Sequence, residues 1–85
     1  MRTLVDLEMG EQVEIDQILP GSQETLSRRL KELGWLEGSR IELVRQAPFG
    51  GDPLAFRCRG TVIALRRYEA QQVRVRSVGL AKVSS

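Results

Sequence analysis

The stretch LAFRCRGTVIAL, residues 54–65, carries the clearest fold signal in the chain. Its first half alternates apolar residues with Ala55, Arg57 and Arg59, which is typical of a strand with one buried face. Gly60-Thr61 favours a turn, and the four apolar residues from Val62 to Leu65 supply a returning strand. The stretch therefore predicts an antiparallel β-hairpin.

Short segments on both sides of this hairpin show related patterns. Strands are predicted at 13–16, 41–43 and 73–76, and a single helical turn at 68–72. Leucines spaced by four and three residues predict a helix from Gln23 to Leu33, between the first two strands, with Ser22 as its N-cap and Gly34 at its end. Five short strands and one early helix indicate a mainly β fold, and closure into a small antiparallel barrel would protect the sheet edges.

The length of the chain, 85 residues, allows one small domain. We place this domain at 1–78 and expect 79–85 to be a flexible tail. The N-terminus lacks the apolar segment of a secretion signal, and the longest apolar run is far too short to span a membrane. We therefore expect a soluble, cytoplasmic protein.

The composition excludes most catalytic and metal chemistry. The chain has no histidine and one cysteine, Cys58, whereas zinc sites need several Cys/His ligands and most nucleophiles need an imidazole. Carboxylates cluster between Asp6 and Asp16, but their spacing matches no metal-binding loop. Cys58 falls on the inward side of its strand and is interpreted as a small hydrophobic residue. We expect no enzyme activity, no small-molecule substrate, no catalytic residues and no cofactor or metal site.

Charge is distributed unevenly along the sequence. Residues 1–43 contain five basic and nine acidic side chains, whereas residues 44–85 contain eight basic and two acidic ones. Three interpretations of the arginines in the second half remain open: a solvated face, a surface for an acidic protein partner, or a nucleic-acid surface. The last is the least favoured, because no exposed aromatic residues are interleaved with them. The arginines on outward strand positions, and the two between those strands, are Arg57, Arg59, Arg74, Arg76, Arg66 and Arg67.

Four motifs follow one another along the chain: LVDLEMG at 4–10, RLKELGWLEG at 29–38, APFGGDPL at 47–54, and RG at 59–60 followed by LRRYEA at 65–70. In this order, and over residues 3–76, they resemble the FeoA family of ferrous iron transport proteins A. The resemblance implies an SH3-like barrel, similar to the C-terminal domain of iron-dependent repressors of the diphtheria toxin repressor type. The family more often has a smaller aliphatic residue where this chain has Trp35.

The resemblance also implies a function and a partner. It predicts a non-enzymatic accessory protein for ferrous iron uptake that docks on the cytosolic part of the FeoB transporter, and a place at the inner membrane through that partner. The alternative is a regulatory SH3-like barrel associated with metal-dependent transcription control or nucleic acid. Weak self-association is left open.

Residues near the predicted loops are the candidates for partner contact. Trp35, just past the helix end, is either a binding anchor or a buried core residue whose N–H bonds to a carbonyl. The loop from Ala47 to Pro53 either presents its tip to a partner or folds back onto the core. The predicted partner-binding residues are Trp35, Phe49, Gly50 and Gly51, with Arg57 and Arg59 supplying charge against an acidic surface.

Overall fold

A computed structural model of the chain describes residues 1–19, 24–48 and 50–78. The predicted N-cap Ser22, the predicted helix start Gln23, the loop residue Phe49 and the tail at 79–85 lie outside the described residues.

The described residues form six strands, two α-helices and one turn of 3-10 helix. In chain order these are β1 (Arg2–Thr3), the 3-10 helix (Leu4–Asp6), β2 (Gln12–Ile18), α1 (Glu24–Glu32), β3 (Arg40–Gln46), β4 (Leu54–Cys58), β5 (Thr61–Leu65), α2 (Arg67–Ala70) and β6 (Val73–Ser77). The five predicted strands correspond to β2 to β6, and α1 and α2 lie where the sequence placed helical segments. The mainly β class is therefore confirmed.

The strands form one antiparallel sheet in the order β1-β6-β2-β3-β4-β5. The prediction of a closed barrel is wrong in one respect: the described sheet is open, with β1 and β5 at its edges. Among the described residues, β1 pairs only with β6, through Arg2 and Thr3, and has no ladder to β5. β1 could not be predicted from the sequence, because two residues cannot show an alternating pattern.

The β4–β5 hairpin is confirmed, with its turn one residue earlier than predicted. Cys58 pairs with Thr61, so the turn consists of Arg59 and Gly60, whose φ angles are 56° and 82°. Two successive residues with positive φ are typical of a type I′ turn, which matches the twist of the two strands. Arg59 is thus in a backbone conformation that non-glycine residues seldom adopt.

One hydrophobic core lies between the inner face of the sheet and α1. Alternation of buried and exposed residues along β2, β3 and β4 follows the sequence pattern, and Leu26 and Leu30 of α1 cover the core. Leu33, the third leucine of the predicted stripe, is 45% exposed because the helix has already ended before it. The largest fully buried side chains are Trp35 and Phe56.

Candidate functional site

The end of α1 places Trp35 in the core. The backbone N–H of Trp35 donates to the carbonyl of Leu30 (2.9 Å), and the backbone N–H of Gly34 donates to the carbonyl of Lys31 (3.0 Å). These two bonds are the Schellman pattern of a helix C-terminus. Gly34 has φ +89°, as the sequence predicted for the residue that ends this helix. The motif turns the chain so that Trp35 and Leu30 are both buried.

The Trp35 ring is a core element, not an exposed anchor. Its side chain is 1% exposed and packs edge-on against Phe56, with ring centroids 6.2 Å apart at 90°. The expected hydrogen bond from the indole N–H to a carbonyl is absent: Nε1 is buried without an acceptor among the described residues. A buried N–H without an acceptor costs free energy, so packing of the ring must outweigh that penalty.

Ser39 holds the segment that follows Trp35. Its buried hydroxyl accepts a hydrogen bond from the Leu36 N–H (3.0 Å) and donates to the Gly34 carbonyl (3.1 Å). The sequence analysis did not identify Ser39, and its only signal is a serine that follows Gly38 at the start of a strand. These bonds fix the short turn that leaves Leu36 at the surface.

A small cleft opens between α1 and β2, above Trp35. We call it the α1/β2 cleft; its volume is about 230 Å³, and its apolar lining residues are Ile15, Ile18, Trp35 and Leu36. Leu36 is 50% exposed, and Leu33, just after the end of α1, is 45% exposed. The remaining residues that line the cleft are polar: Asp16, Gln17, Ser27, Lys31 and Glu37.

The predicted loop is closed at its base and packed along one side. The Ala47 N–H donates to the Pro53 carbonyl (3.1 Å), and the Arg67 N–H donates to the Asp52 carboxylate (3.1 Å). Gly50 and Gly51 have φ of 76° and 64°, positive values that glycine adopts readily. Contact between this loop and a partner stays a prediction.

The predicted site residues do not form one surface. Gly50 and Gly51 precede β4, whereas Arg59 follows it, and the Arg59 guanidinium extends toward Gly34 at the end of α1. Five residues of β4 separate the two groups, which corresponds to roughly 16 Å along the strand. The structure therefore brings Trp35 and Arg59 to one end of the sheet and the glycine loop to the other.

Most outward arginines are neutralised within the sheet. Because the strands are antiparallel and β6 inserts beside β2, basic residues of the second half of the chain face acidic residues of the first half. Asp16 lies at a bulge of β2, where its carboxylate reaches two arginines of β6. The closest pairs are Arg57 with Glu42 (3.3 Å), Arg74 with Asp16 (2.6 Å), and Arg76 with Asp16 (3.1 Å) and Glu14 (3.2 Å).

These ion pairs change the acidity of the carboxyls. Hydrogen bonds from Arg74, and then from Arg76, lower the pKa of Asp16. At the N-terminus, Arg2 donates to both oxygens of Glu11 at 2.8 Å, and the backbone N–H of Glu8 donates to one of them. These bonds lower the pKa of Glu11 from 4.5 to about 2.

The described residues offer no metal centre or activated nucleophile. They contain no group of three or more His, Cys, Asp or Glu side chains placed to hold an ion. Cys58 is buried, as its strand alternation predicts, and burial raises the pKa of its thiol, which disfavours the reactive thiolate. None of the described helices is both long and apolar enough to cross a membrane.

Comparison with known proteins identifies the family of this chain and shows structures with the same fold. The model of the FeoA domain matches residues 2–77. FeoA of Chlorobium tepidum is 30% identical, with a TM-score of 0.82 over 91% of this chain and 70% of that one. FeoA of Stenotrophomonas maltophilia is 31% identical, with a TM-score of 0.79 over 89% of this chain and 91% of that one. That protein was solved with zinc and is described as a prokaryotic SH3 domain protein and a candidate ferrous iron transport activating factor.

More distant structures share the fold alone. A manganese-dependent transcriptional repressor is 18% identical, with a TM-score of 0.78 over 91% of this chain and 41% of the repressor. No curated protein sequence gives a significant match. The SH3-like class predicted from the motifs is confirmed by these structures, and because the family model spans nearly every described residue, the chain belongs to the FeoA family.

Proposed function

We propose that this protein is a non-enzymatic accessory of ferrous iron uptake, which works in the cytoplasm and docks on the cytosolic part of a FeoB-type transporter to support its assembly or gating. The observation that carries the proposal is the match of the FeoA domain to residues 2–77. The description of the Stenotrophomonas maltophilia relative as a candidate activating factor supports the same role. Ferrous iron is the cargo of the transporter in this account and needs no site on this chain.

The α1/β2 cleft is the part of the described surface best suited to dock a partner. Protein interfaces combine apolar and polar residues, and this cleft is lined by both. Leu36 lines it and is half exposed after the Schellman turn and the Ser39 bonds, and Leu33 is exposed at the end of α1. Trp35 also lines the cleft, although its own ring is buried.

The other predicted contacts are retained as proposals at different points of the surface. Arg57 is exposed on β4 and Arg59 is exposed in the turn that follows it, and both would supply charge against an acidic partner surface. The loop at 47–53, with Phe49, Gly50 and Gly51, would make a second contact at the opposite end of β4.

Capture of the transporter from membranes tests the proposal. Tagged native protein is incubated with detergent-solubilised membranes, and bound proteins are identified by mass spectrometry. We expect capture of a large membrane protein with a cytosolic GTPase domain, and loss of that capture with the double variant Leu33→Ser/Leu36→Ser. Substitution of Trp35 is unsuitable here because it would disturb the core.

The matched control carries the same chemical change elsewhere. Met9 and Val62 are 56% and 52% exposed and lie away from the α1/β2 cleft, so Met9→Ser/Val62→Ser should capture the transporter as the native protein does. A Phe49→Ala variant tests the loop separately. Failure of the folded native protein to capture any transporter would contradict the function, whereas equal loss in both double variants would contradict the site.

A further inference from the structure

Three arginines line a small cleft on the outer face of the sheet. It has a volume of about 180 Å³ and is bounded by Gln12, Arg40, Glu42, Arg57 and Arg59, which we call the arginine cleft. Glu42 of β3 pairs with Arg57 of β4, and Arg40 of β3 lines the same cleft as Arg59 of the β4–β5 turn. Like charges held near each other repel, so gathering these arginines does not stabilise the free protein.

The carboxylates next to the cleft are already engaged. Glu42 binds the Arg57 guanidinium (3.3 Å), and Glu14, which faces Arg40 across β2 and β3, binds Arg76 (3.2 Å). Within the described part of the chain, neither Arg40 nor Arg59 has a carboxylate at ion-pair distance. Three guanidinium groups therefore share one carboxylate, which leaves an excess of two positive charges in the cleft.

Arg59 also occupies a backbone position that its side chain does not favour. It is the single non-glycine residue with positive φ among those described, at the first position of a turn where asparagine or glycine is usual. The type I′ turn requires a positive φ here, and residues other than glycine in this region are enriched at binding and catalytic sites. Its guanidinium makes no hydrogen bond within the described part of the chain that would explain the choice of arginine.

We propose that the arginine cleft binds carboxylate side chains of an acidic peptide segment on a protein partner. The planar guanidinium fork accommodates a carboxylate through two parallel hydrogen bonds, and two arginines without an ion-pair partner among the described residues line this cleft. The inference rests on the proposed docking function and adds the chemistry of the docked segment.

A nucleic-acid strand fits the same residues less well. Arg57, Arg74 and Arg76 are paired with carboxylates, so no continuous basic stripe follows the sheet, and Glu14 and Glu42 would repel neighbouring phosphates. The residues that line the cleft include no aromatic side chain on which a base could stack.

The test uses a fluorescein-labelled hexaglutamate peptide and measures its binding to the folded protein by fluorescence anisotropy. We expect saturable binding, absent for a labelled hexaglutamine peptide, and about tenfold weaker binding for Arg40→Gln/Arg59→Asn, since charged hydrogen bonds are lost. The variant Arg28→Gln/Arg45→Gln removes the same charge from exposed positions outside the cleft and should bind like the native protein.

Other results would overturn the proposal. Equal weakening by both double variants would show binding to bulk charge. Tighter binding of labelled single-stranded DNA, or displacement of the peptide by millimolar inorganic phosphate at constant ionic strength, would assign the cleft to phosphate groups. If a variant fails to fold, amide shifts of the native protein titrated with the peptide decide: changes confined to residues 12, 40, 42, 57 and 59 support the cleft, and changes elsewhere contradict it.

The peptide experiment does not use the transporter, so the two proposals fail separately. Peptide binding without capture from membranes would keep the cleft and reject the transporter as its partner. Capture from membranes without peptide binding would keep the docking function and reject the cleft.

Discussion

Trp35 shows how one residue can be both costly and necessary to this fold. Its ring fills the core against Phe56, yet its indole N–H is buried without an acceptor among the described residues. The sequence pointed to Trp35 but left two roles open, a binding anchor or a buried core residue, because burial depends on where the Schellman turn directs the chain.

Two substitutions separate these contributions. We expect Trp35→Ala to lower the free energy of unfolding by about 3–5 kcal/mol, because a large cavity remains. Trp35→Phe should stay within about 1 kcal/mol of the native protein, because loss of ring volume is offset by removal of the unsatisfied N–H. Urea unfolding followed by circular dichroism measures both. A loss for Trp35→Phe as large as that for Trp35→Ala would contradict this account.

Glu11 gives the protein a defined response to acid. Because Arg2 lowers the pKa of Glu11 to about 2 in the folded state, this pair stabilises the protein above about pH 4.5 and loses its contribution as the pH falls toward 2. We expect Glu11→Gln to lower stability at pH 7 by at most about 1 kcal/mol, since both side chains are partly exposed. Thermal unfolding between pH 7 and pH 2 should show the two proteins converging; a constant difference, or a similar effect of the exposed Glu32→Gln, would contradict this account.

At the level of elements, the end of α1 determines where the candidate docking surface lies. The left-handed Gly34 directs Trp35 inward and leaves Leu36 exposed, so the helix end couples the core to the α1/β2 cleft.

The substitution Gly34→Ala tests this coupling. A Cβ at φ +89° is strained, so we expect a loss of about 1–2 kcal/mol in unfolding free energy, measured by urea unfolding. Lys31→Ala, an exposed change in the last turn of the same helix, should cost less than about 0.5 kcal/mol. If Gly34→Ala is as stable as Lys31→Ala, the left-handed Gly34 is not what fixes the positions of Trp35 and Leu36.

Elements with a strong local pattern were predictable and those set by pairing were not. The hairpin at 54–65 and the helix end at Gly34 follow from alternation and turn chemistry. β1 was not predicted because two residues show no alternation, and the open edges at β1 and β5 depend on the strand order, which the sequence pattern does not give. The arginine cleft was only partly visible, because Arg40 joins Arg57 and Arg59 through the register of β3 with β4.

At the scale of the whole molecule, the uneven charge of the sequence is compensated by the fold. Antiparallel pairing brings the acidic first half against the basic second half, so the outer face alternates in sign apart from the arginine cleft. A formal net charge of +2 therefore does not translate into a broad basic surface.

This arrangement predicts weak binding to nucleic acid. We expect a dissociation constant above about 10 µM for a labelled 20-base-pair DNA at roughly physiological salt, with a shallow salt dependence, because few phosphates can be neutralised. Fluorescence anisotropy across a salt series measures both quantities. Submicromolar binding with a steep slope would favour the alternative regulatory function over transporter docking.

The central claim is that the α1/β2 cleft, at the end of helix α1, docks on a FeoB-type transporter. The most direct measurement is hydrogen–deuterium exchange of the native protein, alone and with the purified transporter. The account predicts slower exchange in residues 33–39 and at the adjoining residues of β2, in addition to any protection at the arginine cleft or at the loop at 47–53. Unchanged exchange throughout, or protection confined to the loop at 47–53, would contradict it.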